Sequence, residues 1–500
     1  MSRLFALAAY DLRALRRERG AVLLLAAALL LALYGLFEGA RLRQHVQQAQ
    51  HAAASQESAA RHAANALAAR YFAAPESPEF AGLLWYRTPV DVRGYALREH
   101  VGFAALPLLP GAALAIGQAD LQSSYVRVRA ESMESVRTAA EIEHPARLAA
   151  GRFDLMVFTV YLWPLVLLSL CASVLTQDRE SLRLRSLLLQ GAGTARILFA
   201  QVGARALLAT VLLVLVTGGA ALAGGAVPAS AGGLAALGAW SGIVLLYSAF
   251  WAAVAAAVCA FAASRTSAAF AGFGLWLLFV VVLPGMLDAA TRAAAPVPPR
   301  ERYVQALRDA ADRVAADRVN SLARFYDSHP EWKPRRTALG DVSSSVSRLQ
   351  RAQELEKAMA GVEREFAAAS AARAGLFAAL GMLSPVTLAN QAFVAASGND
   401  TVRHQAFVAE VARHQSALRD WFQAAIQRAA LGDEQRPCPR ACLGGYGFRD
   451  FDRVPRFAAP ASLSHPPDMP MRTWALAAWL AGFVLLAWFG LRRERLGQRL

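Results

Sequence analysis

The sequence predicts an all-α membrane protein with six transmembrane helices, both chain termini in the cytoplasm and two large, mainly helical periplasmic regions. Hydrophobic residues make up 56% of the 500-residue chain, which is more than a soluble protein of this length usually carries. Six separate apolar segments are each long enough to cross a bilayer. The placement of arginine beside these segments then predicts which side faces the cytoplasm.

Six segments reach the length of about 20 mostly apolar residues that a membrane-spanning helix needs. They lie at 20–38, 154–176, 199–224, 234–262, 267–288 and 472–491. The predicted organisation is therefore a cytoplasmic interfacial helix (1–19), TM1 (20–38), periplasmic region 1 (39–153), TM2 (154–176), a cytoplasmic connection (177–198), TM3–TM5 (199–288), periplasmic helical region 2 (289–471), TM6 (472–491) and a cytoplasmic tail (492–500). No small-residue cleavage site follows the first apolar run, so we expect it to remain as a transmembrane helix.

Four groups of arginines beside the apolar segments fall on one side of the predicted membrane. With six spans, the basic residues before TM1, between TM2 and TM3, after TM4 and after TM6 all fall on the same side. Those residues are Arg13, Arg16, Arg17, Arg19, Arg179, Arg183, Arg185, Arg196, Arg265, Arg492, Arg493, Arg495 and Arg499. By the positive-inside rule this side is the cytoplasm, and the chain is predicted to be a multi-pass protein of a bacterial inner membrane. The rule also accounts for the net charge of +15, so no nucleic-acid partner is expected.

Two further apolar stretches are too short to span a bilayer. Residues 102–116 are interrupted by Pro107 and Pro110, and we expect them to pack within the first external region. The stretch 374–396 has two interpretations. It is either a helix that dips into the outer leaflet, packed against protein, or a core helix of the external region.

The chain carries no pattern typical of an enzyme. It has no P-loop, in which a glycine-rich turn and a lysine hold phosphates, so any ATP and Mg²⁺ would be bound by another chain. No protease or metal-site motif is present either. His404 and His414 share a predicted helix but lie about 15 Å apart along its axis, so one metal ion cannot bridge them.

The four cysteines fall into two groups. Cys171 and Cys259 lie in apolar spans and are interpreted as small buried hydrophobic residues. Cys438 and Cys442 lie in the second external region, where an oxidising periplasm favours a disulfide. A metal or redox role is the alternative for this second pair, although two cysteines alone make an incomplete zinc site.

Ionisable residues are rare in the spans. Arg205 lies near the start of the third span, and Asp154 and Asp288 lie at helix edges. Charges inside a membrane are candidates for function, but those at helix edges usually cap the helix or reach the interface. We expect no transport role for them.

The cytoplasmic connection contains an amphipathic segment from Thr176 to Leu189. Leu184, Leu187 and Leu188 form an apolar stripe beside charged positions. Such a helix either lies along the membrane surface or docks in the groove of a partner.

This segment resembles the Glu-x-Gly-Thr-Leu-x-Leu-Leu segment of ABC-2 type transporter permeases. In that family the segment is the coupling helix, which sits in a cleft of the ATPase subunit. The resemblance implies ATPase-coupling residues at positions that here carry Asp178, Glu180, Arg183, Leu184 and Leu187. Leu182 and Arg183 stand where the family commonly has Gly-Thr.

Two other stretches extend the resemblance. The first helix, with Arg13, Arg16 and Arg17, is similar to the interfacial connecting helix of the family, and Ser384-Pro385 is similar to its Ser-Pro element near the outer re-entrant helices. A branch of the family that has two large external regions, known mainly as a domain of unknown function, is similar at two short stretches. The residues that carry this similarity are Gly117, Asp120, Gly151, Arg152, Phe153 and Asp154.

The resemblance implies a permease subunit of an ATP-driven exporter and not an enzyme. It would work with two copies of an ABC ATPase subunit and with a second permease, identical or related, in the lipid bilayer. One alternative is a mechanical transmitter that acts on a periplasmic partner without transport. Another is a membrane scaffold or sensor without an ATPase. The sequence leaves the substrate open.

Overall fold

A computed structural model describes residues 2–74, 77–80, 90–130, 151–189, 193–328, 344–432, 448–465 and 470–497. Among them are fourteen helices, here numbered α1 to α14, that account for most of the described chain. Their bounds are α1 Ser2–Arg17, α2 Arg19–Ala73, α3 Val92–Gly94, α4 Leu155–Glu180, α5 Arg183–Leu189, α6 Thr194–Ala223, α7 Ala231–Phe261, α8 Arg265–Ala294, α9 Arg300–Ala316, α10 Arg318–Ser328, α11 Ser344–Gly381, α12 Pro385–Ser397, α13 Thr401–Gly432 and α14 Pro470–Gly497.

Six of these helices are long and apolar enough to cross a membrane, as the sequence predicts: α2, α4, α6, α7, α8 and the Arg472–Arg492 part of α14. The protein is thus a multi-pass, mainly helical membrane protein. The described strands, β1 (Gly102–Ala105) and β2 (Tyr125–Val128), form a two-stranded antiparallel sheet in which Phe103 pairs with Arg127. Below, the Arg-rich side is the side on which α4 ends, and the large-domain side is the opposite one.

Helix α2 joins the membrane bundle to the large polar regions without a break. It runs for 55 residues, a length of about 82 Å at 1.5 Å per residue. Residues 40–72 therefore continue the first spanning helix outward from the bundle.

The bundle is organised around α7 and α4. In their most apolar windows, 83% and 72% of the residues are buried, against 22–33% in the other four spans. Trp163, Trp240, Trp251 and Tyr247 are among the largest fully buried side chains. Helices α2, α6, α8 and α14 surround this centre, and most of the residues in their apolar windows are not buried.

Proline explains two irregular turns in the spans. Pro164 and Pro284 each follow a π-helical turn, Phe158–Leu162 and Leu278–Val282 respectively. Proline lacks an N–H and crowds the carbonyl four residues earlier, so the helix widens there. The carbonyl that Pro164 releases, that of Val160, accepts a hydrogen bond from the Tyr247 hydroxyl at 2.8 Å. The irregular turn of α4 is therefore hydrogen-bonded to α7, the other central helix.

A second hydrophobic core lies in the large polar regions. It joins the sheet, the outer half of α2, α3, α10, α13 and the segment 448–463. At its centre the His100 ring packs edge-on against Tyr95 and Phe422, at centroid distances of 5.8 Å and 5.3 Å. Neither ring nitrogen has a hydrogen-bond partner in the described residues. Burial, with smaller contributions from Arg61, His414 and Arg127, lowers the pKa of His100 to about 3.

The stretch 102–116 connects the two cores. Ala104 of β1 lies in the second core, whereas Ala113, Leu114 and Ala115 pack among the membrane-spanning helices. The prediction that the whole stretch belongs to the external region is therefore correct only for its first part. The later residues fit the bundle because they are small and apolar.

Residues 374–396 are divided between two helices. The long α11 continues to Gly381, and α12 begins at Pro385 after Ser384, whose side chain accepts a hydrogen bond from the Thr387 N–H. Helix α12 packs on α7 and α14, and Phe393 lies 6.5 Å from Trp240, centroid to centroid. The buried face of α12 thus belongs to the same hydrophobic core as the spanning helices.

Candidate functional site

The candidate site is the turn between α4 and α5 on the Arg-rich side. The amphipathic segment predicted over 176–189 is not one helix, since α4 ends at Glu180 and α5 begins at Arg183. Leu182 lies between them with φ of 58°, and no other described non-glycine residue has a positive φ. This left-handed conformation costs a side-chain-bearing residue about 1–2 kcal/mol, so the surrounding contacts must hold it.

Two carboxylates hold the turn against neighbouring helices. Asp178 is buried and accepts a hydrogen bond from the Gln201 amide of α6 at 2.8 Å. Glu180 accepts a hydrogen bond from the backbone N–H of Arg265, the first residue of α8, at 3.2 Å. Its other oxygen lies 3.8 Å from the Arg265 guanidinium.

Two arginines complete these attachments. Arg179 donates to the carbonyl of Ala262, at the end of α7, at 3.3 Å. Arg183 lies 3.5 Å from Asp178, and its guanidinium stands over the Tyr10 ring of α1 at 4.7 Å from the ring centroid. The turn is thus bonded to α1, α6, α7 and α8 within a few residues of sequence.

Helix α1 is itself anchored to the bundle by a buried ion pair. Asp11 is fully buried and accepts two hydrogen bonds from Arg205 of α6, at 2.7 Å and 2.9 Å. Arg205 also donates to the carbonyl of Leu170 at 3.0 Å. This pair explains why a charge occurs inside the third span. The sequence offered a partial signal, because Gln201 and Arg205 are polar residues one turn apart in an apolar helix.

The arginines near the end of α1 face outward. Arg13, Arg16 and Arg17 are exposed, as expected of an interfacial helix. Leu15, by contrast, is buried in the hydrophobic core of the helix bundle. One helix therefore presents its arginines away from the bundle and its apolar face towards it.

The predicted apolar stripe of α5 is divided between two environments. Leu184 packs on the membrane core, and Leu187 is partly exposed. By contrast, Leu182, Leu188 and Leu189 project outward, with 69%, 42% and 84% of their surface accessible. The structure therefore adds Leu182 and Leu189 to the exposed apolar surface and removes Leu184 from it. We call Leu182, Leu188 and Leu189 the leucine tip.

On the large-domain side, the two stretches that resemble the unknown-function branch meet at the start of α4. Asp154 is buried and caps α4 by accepting the Val157 N–H at 2.6 Å, while its other oxygen accepts the Ile116 N–H at 2.6 Å. Arg152 lies 3.7 Å from Asp120. Gly117 and Gly151 both have left-handed backbone, with φ of 58° and 66°.

Helix α2 lies close to the start of α4. Phe153 stacks on Tyr34 of α2, with ring centroids 5.9 Å apart. On the same helix, a Cβ at Gly35 would lie 2.6 Å from the Asp154 carbonyl carbon, and one at Gly39 would lie 2.1 Å from the Ala113 oxygen. Two glycines one turn apart therefore let α2 approach the backbone of this junction. We read these residues as a structural junction between the cores, since Asp154 caps α4 and binds the backbone of Ile116, and Phe153 packs on α2.

A second attachment of the two cores is made by residues that sequence reasoning missed. Asn399 donates to the carbonyls of Ala112 and Ala115 at 3.0 Å and 2.6 Å. The buried Arg403 donates to backbone carbonyls of Leu463, Gly398 and Pro107. Nothing in the local sequence distinguishes this arginine from the many others of the chain.

Three further predictions concern other candidate residues. Cys438 and Cys442 lie outside the described residues, so the disulfide stays a prediction. Cys171 and Cys259 are buried with free thiols, and Cys259 donates to the carbonyl of Ala172 at 3.0 Å. Asp288 pairs with Arg292 at the surface, at 2.7 Å.

Comparison with known proteins identifies one domain. A family model described as a domain of unknown function (DUF3526) matches residues 300–435. The match begins with α9 and ends just beyond α13, and it includes α12, the helix that packs into the membrane core. No curated protein and no solved structure matches the chain.

Proposed function

We propose that this chain is the membrane-spanning permease subunit of an ABC-2 type exporter. The observation that carries the proposal is the leucine tip, an exposed apolar surface on a turn bonded to four bundle helices. Apolar side chains displayed outside the bundle and beyond the spans favour a protein partner. That partner would be an ABC ATPase subunit, two copies of which bind ATP and Mg²⁺ beside a pair of permeases.

The backbone of the turn supports the alignment with the coupling-helix motif. The motif has glycine at the position of Leu182, and the backbone there is left-handed. Glycine is the residue that adopts this conformation without cost. A turn shaped for glycine, at the place where the resembling family carries glycine, supports a conformation shared with that family although the residue differs.

The contacts of the turn supply a route for movement. When the ATPase pair closes, a push on the leucine tip would reach α6 through Asp178, α8 through Glu180 and α1 through Arg183. Rigid helices that are bonded at their ends move together. This arrangement would couple ATP binding to alternating access for the exported substrate.

In this proposal the Arg-rich side faces the bacterial cytoplasm, with both termini, and the large polar regions lie in the periplasm. The chain would sit in the inner membrane. The second permease would be identical or related, and the large regions would control release of the substrate or bind a periplasmic partner.

Helix α2 favours a second function, mechanical transmission. It passes without interruption from the bundle into the second core, where buried Arg61 donates to the carbonyls of Phe451 and Val454 at 2.6 Å and 3.1 Å. A continuous helix would carry a tilt of the bundle directly to the large regions. In that case ATP hydrolysis would act on a periplasmic partner and nothing would cross the membrane.

The test is co-purification of an ATPase from cells that contain the complete transport system. Tagged wild type is compared with the double variant Leu188→Asp, Leu189→Asp, which places charge on the leucine tip without touching the bonded turn. The matched control is Val319→Asp, Val402→Asp, which makes the same kind of change at exposed residues of α10 and α13.

We expect wild type and control to bring down an ATPase subunit with ATPase activity, and the tip variant to lose both. If wild type recovers no ATPase under mild extraction, the permease proposal is wrong and a scaffold or sensor without an ATPase takes its place. If the ATPase binds but transport into inverted vesicles is absent while the large regions still move, mechanical transmission replaces export.

A further inference from the structure

A groove opens on the membrane face of the bundle between α6 and α14, with α7 as its floor. Its volume is about 340 Å³. Phe199, Gly203 and Ala206 belong to the α6 wall, and Leu480 and Val484 to the α14 wall. The floor of α7 is shaped by alanine, with Ala249, Ala252 and Ala256 on one face. The small side chains of α7 leave the groove open between α6 and α14.

The lining of the groove is chemically suited to hydrocarbon. Its two hydroxyl groups each already make a hydrogen bond within the protein, since Thr210 donates to the Ala206 carbonyl at 2.7 Å and Ser248 accepts from the Trp163 indole at 2.9 Å. The other lining side chains are apolar, so a polar occupant would lose hydrogen bonds along most of the groove. In the bilayer an apolar chain can enter without loss of hydrogen bonds.

The length of the groove matches one leaflet. From Phe199 to Thr210 on α6, and from Leu245 to Ala256 on α7, the lining covers eleven helical steps, about 17 Å at 1.5 Å per residue. Half of a hydrocarbon core is about 15 Å thick. Because α6 begins at Thr194 and α7 ends at Phe261, the groove lies in the half of the membrane next to the Arg-rich side.

Each wall carries an arginine where it reaches the Arg-rich side. Arg196 is exposed and lies two turns before Gly203, on the same face of α6. On α14 the exposed Arg492 stands over the Trp488 ring at 3.6 Å from its centroid. Tryptophan and arginine at this depth are typical of the membrane interface. Each of the two walls thus continues, beyond the apolar lining, to an exposed arginine at the Arg-rich side.

We propose that this groove binds an anionic phospholipid of the leaflet on the Arg-rich side. One acyl chain would lie on the α7 floor, and the headgroup phosphate would meet Arg196 and Arg492. The inference does not depend on the proposed permease function.

The first test blocks the groove. A Cβ at Gly203 meets no atom within 4 Å, and the same is true of Gly218 on the same helix, outside the groove. The variant Gly203→Phe therefore fills the groove without a backbone clash, and Gly218→Phe is its matched control. Purified protein is incubated with equal amounts of phosphatidylglycerol and phosphatidylethanolamine, and retained lipids are counted by native mass spectrometry.

We expect one phosphatidylglycerol per chain on wild type and on Gly218→Phe, and roughly tenfold lower occupancy on Gly203→Phe, equivalent to about 1.4 kcal/mol. Unchanged retention by Gly203→Phe would overturn the proposal. Loss of lipid that occurs only together with loss of a dimer in size-exclusion chromatography would also overturn it, because the groove would then be an interface between copies.

The second test removes the charge and leaves the groove open. In Arg196→Gln, Arg492→Gln the preference for phosphatidylglycerol over phosphatidylethanolamine should fall about fivefold for each arginine, while some lipid is still retained. Arg19→Gln, an exposed arginine on the same side, is the control. If the preference is the same in all three proteins, the headgroup assignment is wrong.

Discussion

The buried His100 should make the second core sensitive to acid. In the folded protein its pKa is lowered to about 3, chiefly by burial, whereas an unfolded histidine titrates near 6.5. Below about pH 6.5 the unfolded state therefore binds a proton that the folded state rejects, and stability falls as the pH falls. The loss continues until the folded histidine itself titrates near pH 3.

The size of the effect follows from these two values. At pH 5 the unfolded histidine is almost fully protonated and the folded one almost fully neutral, so the core loses about 2 kcal/mol relative to pH 8. The full difference between the two pKa values corresponds to about 5 kcal/mol, reached only near pH 3. The partly buried His404 and His414, whose pKa values are also lowered by burial, act in the same direction.

Replacing His100 with phenylalanine keeps a ring between Tyr95 and Phe422 and removes the titrating group. Hydrogen–deuterium exchange of the Gly102–Ala105 strand, corrected for the intrinsic pH dependence of exchange, gives the opening free energy at pH 8 and pH 5. We expect a drop of about 2 kcal/mol in wild type and in a control at the exposed His62, His62→Phe, and a much smaller drop in His100→Phe. An equal pH dependence in all three proteins would refute the reasoning, because His100 would then be accessible to protons in the folded state.

Three other predictions concern stability. Removing one partner of the Asp11–Arg205 pair, by Asp11→Leu or Arg205→Met, should destabilise the protein by about 3–5 kcal/mol, whereas the double variant should be nearly neutral. A double-mutant cycle of thermal unfolding in nanodiscs measures the coupling energy. If the losses of the two single variants simply add in the double variant, the two side chains do not interact. Gly39→Ala should cost about 1–3 kcal/mol because its Cβ would meet the Ala113 carbonyl, while Gly218→Ala should not destabilise; equal melting temperatures would contradict the close approach. Leu182→Gly should stabilise the turn by about 1 kcal/mol, because glycine adopts the left-handed conformation without strain. The control Leu189→Gly should instead destabilise α5, because glycine weakens a helix. A lower melting temperature for Leu182→Gly than for wild type would mean that the turn is not left-handed.

The sequence was informative where one physical rule acts along a continuous stretch. Apolar length alone located the six spans. Gly398 marks the end of α12 in the left-handed conformation expected of a helix-ending glycine. These features depend on neighbours in sequence, so they could be read without a structure.

Contacts between residues that are far apart in the sequence could not be predicted in this way. Asp11 and Arg205 are separated by 194 positions, and neither signals its partner. Leu182 interrupts an amphipathic pattern that is otherwise regular, because the contacts of Asp178 and Glu180 hold a backbone that leucine alone would avoid. The packing of the short apolar α12 on α7 and α14 likewise depends on residues far away in the sequence.

The bond between Arg61 and the carbonyl of Phe451 joins positions 390 residues apart, and this separation has a consequence for biosynthesis. The outer half of α2 is translated 390 residues before the segment that covers its buried arginine. Until then the first large region has no complete core and exposes Tyr95 and its apolar neighbours. Closing so long a loop is also slow, since its entropy must be lost before the contacts form. A ribosome stalled before codon 451 would therefore leave a chain whose spans can insert but whose second core cannot close.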